Sequence, residues 1–373
     1  MSKKVFKCES FNELTHRIIE PGLCTQCGAC EAACPVHAIA QEDDAPYMLH
    51  DCSEDMDTCS ICYEICPHTG MLLSEVLESV APAPHKSDEL GYYQEVFLAR
   101  ATDPGFRTSG SRGGVVNALL HFAMSENLID CTIISEAVDE NPLEIRPAIS
   151  LVPDDTLSAV DAKFVPSAVA KAFGRAVFEH GKSQIAFVGV PCQVLALRKL
   201  EAWKHKLSAC IGIIIGLFCL CIYSLKTLTD YLYREYEISS SEIQSIDLEV
   251  SHYIITTNRS EIKVPIKEIE DHIVTACKTC TDFTAELADL SIGGAAVRKG
   301  WSILIIRTEK GKELVNKAVS KGVLELEKIE NTPKAWNHLI QVATTKKQEA
   351  LKIQKQMEKK GTPLLSKESL NNR

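Results

Sequence analysis

From about residue 90 onward, the chain alternates between two hydrophobic patterns. Short apolar runs such as 97–101 and 301–307 have the length and composition of strands. Between them lie segments in which apolar residues recur every three or four positions, as Val116, Leu119 and Leu120 do, and these predict helices with one buried face. Strands and helices in alternation predict an α/β domain.

The most apolar stretch of the chain covers residues 209–223 and is rich in isoleucine and glycine. It is shorter than the roughly 20 residues that a helix needs to cross a bilayer. A β-branched run of this kind is typical of a strand buried on both faces. The chain also begins with a polar segment in place of an apolar signal sequence, so we expect a cytoplasmic protein.

The two ends of the chain have different characters. Residues 1–20 predict a short lead-in helix or strand, and the Pro-containing stretch at 81–92 has the composition of a linker. The C-terminal end of the chain is a basic tail: from Lys334 onward it contains nine Lys or Arg residues and three Asp or Glu residues. This tail predicts a helix as far as Lys360, either solvated or docked, with a membrane-surface role as the weaker alternative because its apolar face is thin.

Charge is distributed unevenly over the 373 residues. The formal net charge is −10, while hydrophobic content of 45% and charged content of 24% are those of an ordinary globular protein. Residues 1–80 alone hold four Lys or Arg against fourteen Asp or Glu, a balance of −10. Such a lobe argues against a nucleic-acid partner, which would require clustered Lys and Arg. It suits a docking face for a complementary redox subunit, and a plain solvated acidic face equally well.

Two cysteine runs lie within this acidic lobe. The first has the spacing C-x2-C-x2-C-x3-C-P from Cys24 to Pro35, and the second ends in Cys66-Pro67 with six residues after its first Cys. In two-cluster ferredoxins the fourth Cys of each run binds the neighbouring cluster, so the predicted ligand sets are crossed. One [4Fe-4S] cluster is predicted on Cys24, Cys27, Cys30 and Cys66, and the other on Cys34, Cys52, Cys59 and Cys62.

Structural zinc and disulfides are the alternatives for these cysteines. Zinc sites use four ligands and usually separate two C-x2-C pairs by a longer loop, whereas here three cysteines are packed together and followed by Cys-Pro. Disulfides do not suit a chain without an apolar signal sequence. The spacing therefore favours iron–sulfur clusters.

Three further motifs lie in the α/β region. The loop Thr108–Gly114 precedes a helix and could bind phosphate through free N–H groups, or be a plain turn. Cys192 follows a strand at the predicted start of a helix, a position that suits a nucleophile, a metal ligand or a small core residue. The pair Cys277 and Cys280, alone more typical of zinc, would complete four thiolates with Cys192 and Cys219.

Together these motifs resemble the family of coenzyme F420 hydrogenase and dehydrogenase β-subunits, over roughly residues 95–315. With its N-terminal cysteine runs, the chain resembles the longer members of the family, which are electron-input subunits of archaeal F420 dehydrogenase complexes linked to methanogenesis. The matching segments are Gly113-Gly114 with the following helix, Phe187–Gln193, Gly216–Cys219, Cys277–Phe283, Glu286–Asp289 and Gly300-Trp301 leading to Arg307.

The resemblance implies a third [4Fe-4S] cluster on Cys192, Cys219, Cys277 and Cys280, beside FAD, with Cys221 as the rival ligand to Cys219. Three clusters use twelve of the 16 cysteines and leave Cys8, Cys131, Cys210 and Cys221. The implied flavin contacts come from the glycine loop, in which Arg112 departs from the small or acidic residue of many relatives. Lys163, Arg298 and Lys299 are candidates for the phosphorylated tail of F420. The loop residues are Ser109, Gly110, Ser111, Arg112, Gly113 and Gly114.

The implied fold class is α+β: a bacterial-ferredoxin-like domain at 1–80, a linker at 81–92, an α/β flavin- and F420-binding domain with a mixed sheet at 93–330, and a helical tail at 331–373. The implied activity is hydride transfer between F420 and FAD, with single electrons passing through three clusters to or from redox partner subunits or ferredoxin. No catalytic side chain is nominated, since hydride transfer requires no general base. A membrane would be reached only through partner subunits.

Three other functions compete with this interpretation. The same chemistry could serve an F420-reducing formate dehydrogenase or hydrogenase β-subunit. A ferredoxin-type adapter without flavin is a second alternative, against which the third cysteine group and the glycine loop argue. NADH as hydride donor is a third, but no strand–GxGxxG–helix unit with a following acidic residue is present.

Overall fold

The computed structural model describes residues 9–42, 45–54, 59–79, 83–109, 113–138, 141–159, 165–248 and 252–359. Helices within these ranges cover both faces of one large sheet. In chain order they are α1 (Glu9–Leu14), α2 (Ala29–Ala32), α3 (Ile61–Glu64), α4 (Leu73–Ser79), α5 (Pro104–Ser109), α6 (Val115–Ser125), α7 (Val169–Phe178), α8 (Pro191–Ala202), α9 (Leu225–Tyr236), α10 (Ile266–Ile269), α11 (Thr275–Lys278), α12 (Glu309–Ser320) and α13 (Pro333–Lys359).

The strands form four sheets, the largest of eight strands. In chain order they are β1 (Ile39–Ala40), β2 (Tyr47–Met48), β3 (His85–Ser87), β4 (Gly91–Tyr93), β5 (Glu95–Ala101), β6 (Cys131–Val138), β7 (Asn141–Ser150), β8 (Ile185–Gly189), β9 (Ile211–Leu217), β10 (Ile243–Leu248), β11 (His252–Thr257), β12 (Glu261–Pro265), β13 (Leu290–Gly294), β14 (Ser302–Ile306) and β15 (Leu324–Lys328).

The large sheet has the order β15-β5-β14-β13-β9-β8-β6-β7. Its four central strands β13, β9, β8 and β6 are parallel, and antiparallel strands extend it on both sides. This confirms the predicted mixed sheet. Buried on both faces, β8 and β9 are nearly continuous apolar runs, as parallel strands covered on both sides should be.

The two faces of the sheet are covered by different elements. On one face, Ala186 and Val188 of β8 pack with α6 and α12. On the other face, Ile185 and Phe187 of the same strand pack with α7 and α8, because successive side chains of a strand point to opposite sides. Towards β5 and β14, this second face is covered by α13, whose Leu339 is buried against the strands.

The cysteine-rich lobe shares the hydrophobic core of the sheet. Ala32 and Ile65 of the lobe belong to the same buried cluster as Phe173 of α7 and Phe187 of β8. A Cβ added at Gly174 of α7 would lie 2.9 Å from the Cβ of Ala32, so the absence of a side chain there permits the close approach. The lobe is therefore packed onto the α/β core.

The described part of the segment predicted as a linker, 81–92, contains secondary structure. Within the described residues 83–92, β3 and β4 form an antiparallel hairpin. Arg307 holds this hairpin through its guanidinium, which donates to the carbonyl oxygens of Leu90 at 2.7 Å and Tyr92 at 2.8 Å. Burial of the guanidinium lowers the pKa of Arg307 to about 10, partly offset by Asp282 and Glu286. The segment is a packed part of the fold, because its carbonyl groups satisfy a buried cation.

The tail helix α13 runs through the described residues as far as Lys359 and is docked along one face. Its buried positions fall at helical spacing and include Leu339, Ala343, Lys346 and Ala350. The solvated alternative for this segment therefore does not hold for the described residues. No helix in the described ranges is both long and apolar enough to span a membrane.

Gly114 begins α6 in a left-handed conformation, with φ of 66°. A Cβ at this position would lie 2.2 Å from the carbonyl oxygen of Phe106, a backbone atom that cannot move aside cheaply. We expect Gly114→Ala to lower the free energy of unfolding by about 2 to 4 kcal/mol, from backbone strain and overpacking together.

Gly181 provides the matched control for this substitution. It has φ of +61° but nothing within 4 Å of an added Cβ. Gly181→Ala should therefore lose only about 1 kcal/mol, from backbone strain alone. Urea unfolding of the two variants under anaerobic conditions measures the difference, and equal losses would contradict the close contact at Gly114.

Candidate functional site

The first cysteine set comprises Cys24, Cys27, Cys30 and Cys66. Every pair among the four lies close enough for mutual charge repulsion. Cys66 therefore lies beside the three cysteines of the first run, which is the position that the crossed spacing predicts. Burial is the largest effect on each thiol; it raises the pKa of Cys66 to about 12 and those of Cys27 and Cys30 well above the ordinary value.

The second cysteine set comprises Cys34, Cys52, Cys59 and Cys62. Three of these, Cys34, Cys52 and Cys62, are buried in one apolar cluster of the lobe, whereas Cys59 packs against the main core. The N–H of Ala38 donates to the Cys34 sulfur at 3.2 Å, and the Ser10 hydroxyl lies 3.1 Å from the Cys62 sulfur. Residues 55–58, between two of its members, lie outside the described ranges.

The third cysteine set comprises Cys192, Cys219, Cys277 and Cys280. Every pair among them interacts electrostatically, although the four come from three separate parts of the chain. Cys192 lies in the first turn of α8, where Pro191 occupies the first helical position and the Gln193 side chain accepts the N–H of Val190 at 2.8 Å. Burial raises the pKa of Cys192 to about 11.

Cys221 lies beside the third set but has different partners. Its thiol is hydrogen-bonded with the hydroxyls of Tyr223 and Tyr253, which are 2.7 Å from each other. It interacts electrostatically with Cys219 and Cys277. Since two tyrosine hydroxyls already engage its sulfur, the arrangement favours Cys219 over Cys221 as the fourth member.

The three sets follow one another in space. Cys27 and Cys66 of the first set both interact with Cys192 of the third, and Cys30 of the first set interacts with Cys62 of the second. The first set therefore lies between the other two.

Thr25 and His68 connect the first and third sets. The Thr25 hydroxyl is hydrogen-bonded with the Cys192 sulfur and lies 2.9 Å from Nε2 of His68. The main chain of His68 is in turn hydrogen-bonded with the Cys66 sulfur. Burial lowers the pKa of His68 to about 4, with the neighbouring Lys199 adding to the effect.

Two buried lysines supply positive charge at these sets. Lys199 donates to the carbonyl oxygens of Cys66 at 2.5 Å and Thr69 at 2.8 Å, and burial lowers its pKa to about 8. Lys346 donates to the carbonyl oxygens of Cys219 at 2.5 Å and Asp282 at 2.8 Å. Burial lowers the pKa of Lys346, but the third-set thiols outweigh that effect and raise it above the ordinary value.

The cysteine sets have the composition that an iron–sulfur cluster requires. Buried thiols packed this closely resist ionisation, so the thiolate form needs a positive centre among them, which bound iron would supply. In the described part of the chain, no group of three or more His, Cys, Asp or Glu side chains is arranged to hold a single metal ion.

A cleft opens at the carboxyl ends of β6, β8 and β9, beside the start of α6. Ligands of open α/β sheets bind in this kind of crevice. Ala159 and Val165, the described residues on either side of 160–164, both line it, as does Cys219 of the third set. Its other lining residues include Val116, Asn117, Ser135, Val188, Gln193 and Leu217.

Only part of the predicted flavin contact falls within the described residues. Gly113 and Gly114 are described, whereas Gly110, Ser111, Arg112 and Lys163 lie outside, and Ser109 is described as the last residue of α5 without its side chain. A Cβ at Gly113 would lie 3.2 Å from the carbonyl oxygens of Ala99 and Gly300. Gly113 thus lies against β5 and the start of β14, three residues before Val116, which lines the cleft.

Of the two described candidates for the F420 tail, Arg298 already has partners. Its guanidinium lies 4.0 Å from the centre of the Trp301 ring and 2.5 Å from the Glu327 carboxylate. Lys299 is exposed.

Sequence reasoning did not identify Thr25, His68, Lys199 or Lys346. A signal for Lys346 was available, because it falls on the same helical stripe as Leu339, Ala343 and Ala350. The other three have no sequence signal, since they meet only when the lobe packs onto α8.

Known protein families match the first cysteine run and most of the α/β region. The family "Coenzyme F420 hydrogenase/dehydrogenase, beta subunit" matches residues 96–173 with its N-terminal part and 182–332 with its C terminus, and a "4Fe-4S binding domain" matches residues 17–40.

Individual relatives agree with the family match. The beta subunit of coenzyme F420 hydrogenase of Methanococcus voltae is 30% identical over 74% of this chain and 98% of its own length. A subunit of the F(420)H(2) dehydrogenase of Methanosarcina mazei is 26% identical over 79% of this chain and 82% of its own. A chain of the F420-reducing [NiFe] hydrogenase complex of Methanosarcina barkeri superposes with a TM-score of 0.68 and 27% identity, covering 72% of this chain and 94% of that one. The chain therefore belongs to the family of coenzyme F420 hydrogenase/dehydrogenase beta subunits.

Proposed function

We propose that this chain is an F420-dependent oxidoreductase subunit that exchanges hydride between coenzyme F420 and FAD, and single electrons with a redox partner through three [4Fe-4S] clusters. The observation that carries the proposal is the continuity of the site. Cys219 lines the cleft and belongs to the third cysteine set, the third set adjoins the first, and the first adjoins the second.

The proposed cofactors carry out different kinds of electron transfer: F420 exchanges a hydride, and iron–sulfur clusters exchange single electrons. A bound FAD would supply both hydride and one-electron chemistry, and the protein would supply binding, orientation and electrostatics. No side chain has to move a proton in the hydride step, so we assign no general acid or base.

The cleft residues suit a flavin in their mix of apolar and polar groups. Val116, Val188 and Leu217 provide apolar wall, as expected for the binding of a flat ring system. Polar groups are held in place behind it: Gln193 donates to the carbonyl oxygen of Ser167 at 2.7 Å. We propose that residues 109–114 and Lys163 complete the site at the phosphate end.

The partner is proposed to be another subunit of a larger complex. Two relatives are named as subunits of a hydrogenase and of an F420H2 dehydrogenase, which supports this class of partner. The second cysteine set lies farthest from the cleft along the series, so we propose that electrons leave or enter there. The excess of acidic residues in 1–80 favours a partner with a basic docking face.

Anaerobic mixing of the purified chain with reduced F420, and separately with NADH, tests this proposal. We expect reduced F420 to bleach the flavin absorbance and NADH to leave it unchanged. Bleaching by NADH alone would replace the proposed substrate, and a chain that binds no flavin would reduce the protein to a ferredoxin-type adapter.

A further inference from the structure

Lys346 is a buried cation inside the third cysteine set, although it belongs to the basic tail helix. Its side chain is almost completely buried at 9% exposure, and its ammonium donates to the carbonyl oxygens of Cys219 and Asp282. Its charge interacts with Cys280, Cys219 and Cys277. One helix thus brings a positive charge to a group of thiols from three other segments.

The contacts of Lys346 leave its positive charge to be balanced by the cysteine set. Both oxygens that it contacts are neutral main-chain carbonyls, and among the ion pairs between described residues none includes Lys346. A buried ammonium is costly unless negative charge lies nearby. Asp282 contributes some, and the four thiolates of an occupied third set contribute more.

We propose that Lys346 sets the reduction potential of the third cluster, an inference that rests on the proposed function. Reduction adds one electron to the cluster and hence one negative charge to a buried site. An ammonium fixed beside the ligands stabilises the reduced state more than the oxidised state, because charges interact strongly away from water. Lys346 thereby makes the third cluster a better acceptor of electrons from the cleft side.

The position next in sequence offers a matched control. Lys347 is half-buried, and its ammonium donates to the carbonyl oxygen of Asp88 at 2.5 Å. Lys347→Met therefore removes the same charge from the same helix without touching the cysteine set. Lys346→Arg retains the charge at the buried position, and Lys346→Gln retains a hydrogen-bond donor without the charge.

The test is an anaerobic redox titration followed by electron paramagnetic resonance. The third-cluster signal is identified as the one that Cys192→Ala removes. We expect Lys346→Met and Lys346→Gln to lower the equilibrium constant for reducing that cluster about tenfold or more, a fall of about 59 mV for a one-electron couple. Lys346→Arg and Lys347→Met should keep the wild-type potential.

The possible outcomes distinguish a failure of the role proposed for Lys346 from a failure of the proposed function. An unchanged third-cluster potential in Lys346→Gln, in a chain that retains about twelve irons, would overturn the role of Lys346 alone. Loss of about four irons in both neutral variants would also overturn it, because Lys346 would then be needed to hold the cluster rather than to set its potential. A wild-type chain with about eight irons would overturn the cofactor assignment as well.

Discussion

Replacing Cys192 by alanine should remove about four of about twelve irons and disconnect the cleft from the two clusters of the N-terminal lobe. Cys192 interacts with every other member of the third set and also with Cys27 and Cys66. Reduced F420 should still bleach the flavin, since the cleft is retained, while transfer to a one-electron acceptor should fall at least about tenfold. Iron analysis and stopped-flow absorbance measure the two effects.

Cys221→Ala is the control for this variant. Its thiol lies beside the same set but is hydrogen-bonded with Tyr223 and Tyr253. We expect Cys221→Ala to retain its full iron content. Unchanged transfer from reduced F420 to a one-electron acceptor in Cys192→Ala, or loss of iron from Cys221→Ala, would contradict the assigned ligand set.

Cys66 belongs to the second cysteine run in sequence. Replacing it by alanine should nevertheless remove the cluster of the first set and leave the cluster of the second set in place. The reason is the crossed arrangement, in which Cys66 lies among Cys24, Cys27 and Cys30. About four irons should be lost. Because the first set lies between the other two, transfer from the cleft to an external acceptor should also fail.

Cys34→Ala is the reciprocal variant and should also lose about four irons, this time from the second set. The two variants differ in which spectrum survives. In Cys66→Ala the remaining lobe cluster should no longer interact magnetically with the third cluster, whereas in Cys34→Ala the first and third clusters remain neighbours. If Cys66→Ala kept the magnetic interaction with the third cluster and Cys34→Ala lost it, the ligand sets would be uncrossed.

Local patterns predicted much of the fold. The strand before Cys192 and the helix that begins beside it follow from an apolar run and a turn, and the structure places them at β8 and α8. The buried strand β9 follows likewise from its β-branched composition. These elements were predictable because their periodicity is set by residues close together in sequence.

The packing of the lobe onto the sheet was not predictable in this way. The 81–92 segment has the composition of a linker, but its described part forms a hairpin because Arg307, more than two hundred residues away, binds its carbonyls. Lys199 contacts Cys66 only because α8 packs on the lobe. Contacts between distant segments depend on tertiary structure, which overrides local composition.

The choice between Cys219 and Cys221 illustrates the same limit. Two residues apart in one loop, the two cysteines look equivalent in sequence. The structure distinguishes them through Tyr253, which comes from β11 and reaches the Cys221 sulfur. The spacing of the two cysteines in the sequence does not indicate which of them lies beside Tyr253.

If one chain contains a flavin and three clusters in series, the stoichiometry of the isolated protein should reveal all four groups. Iron and flavin should be counted on the chain purified without oxygen. We expect about twelve irons and one FAD per chain. About eight irons and no flavin would contradict it, and would leave a two-cluster electron carrier whose cleft and third cysteine set serve another purpose.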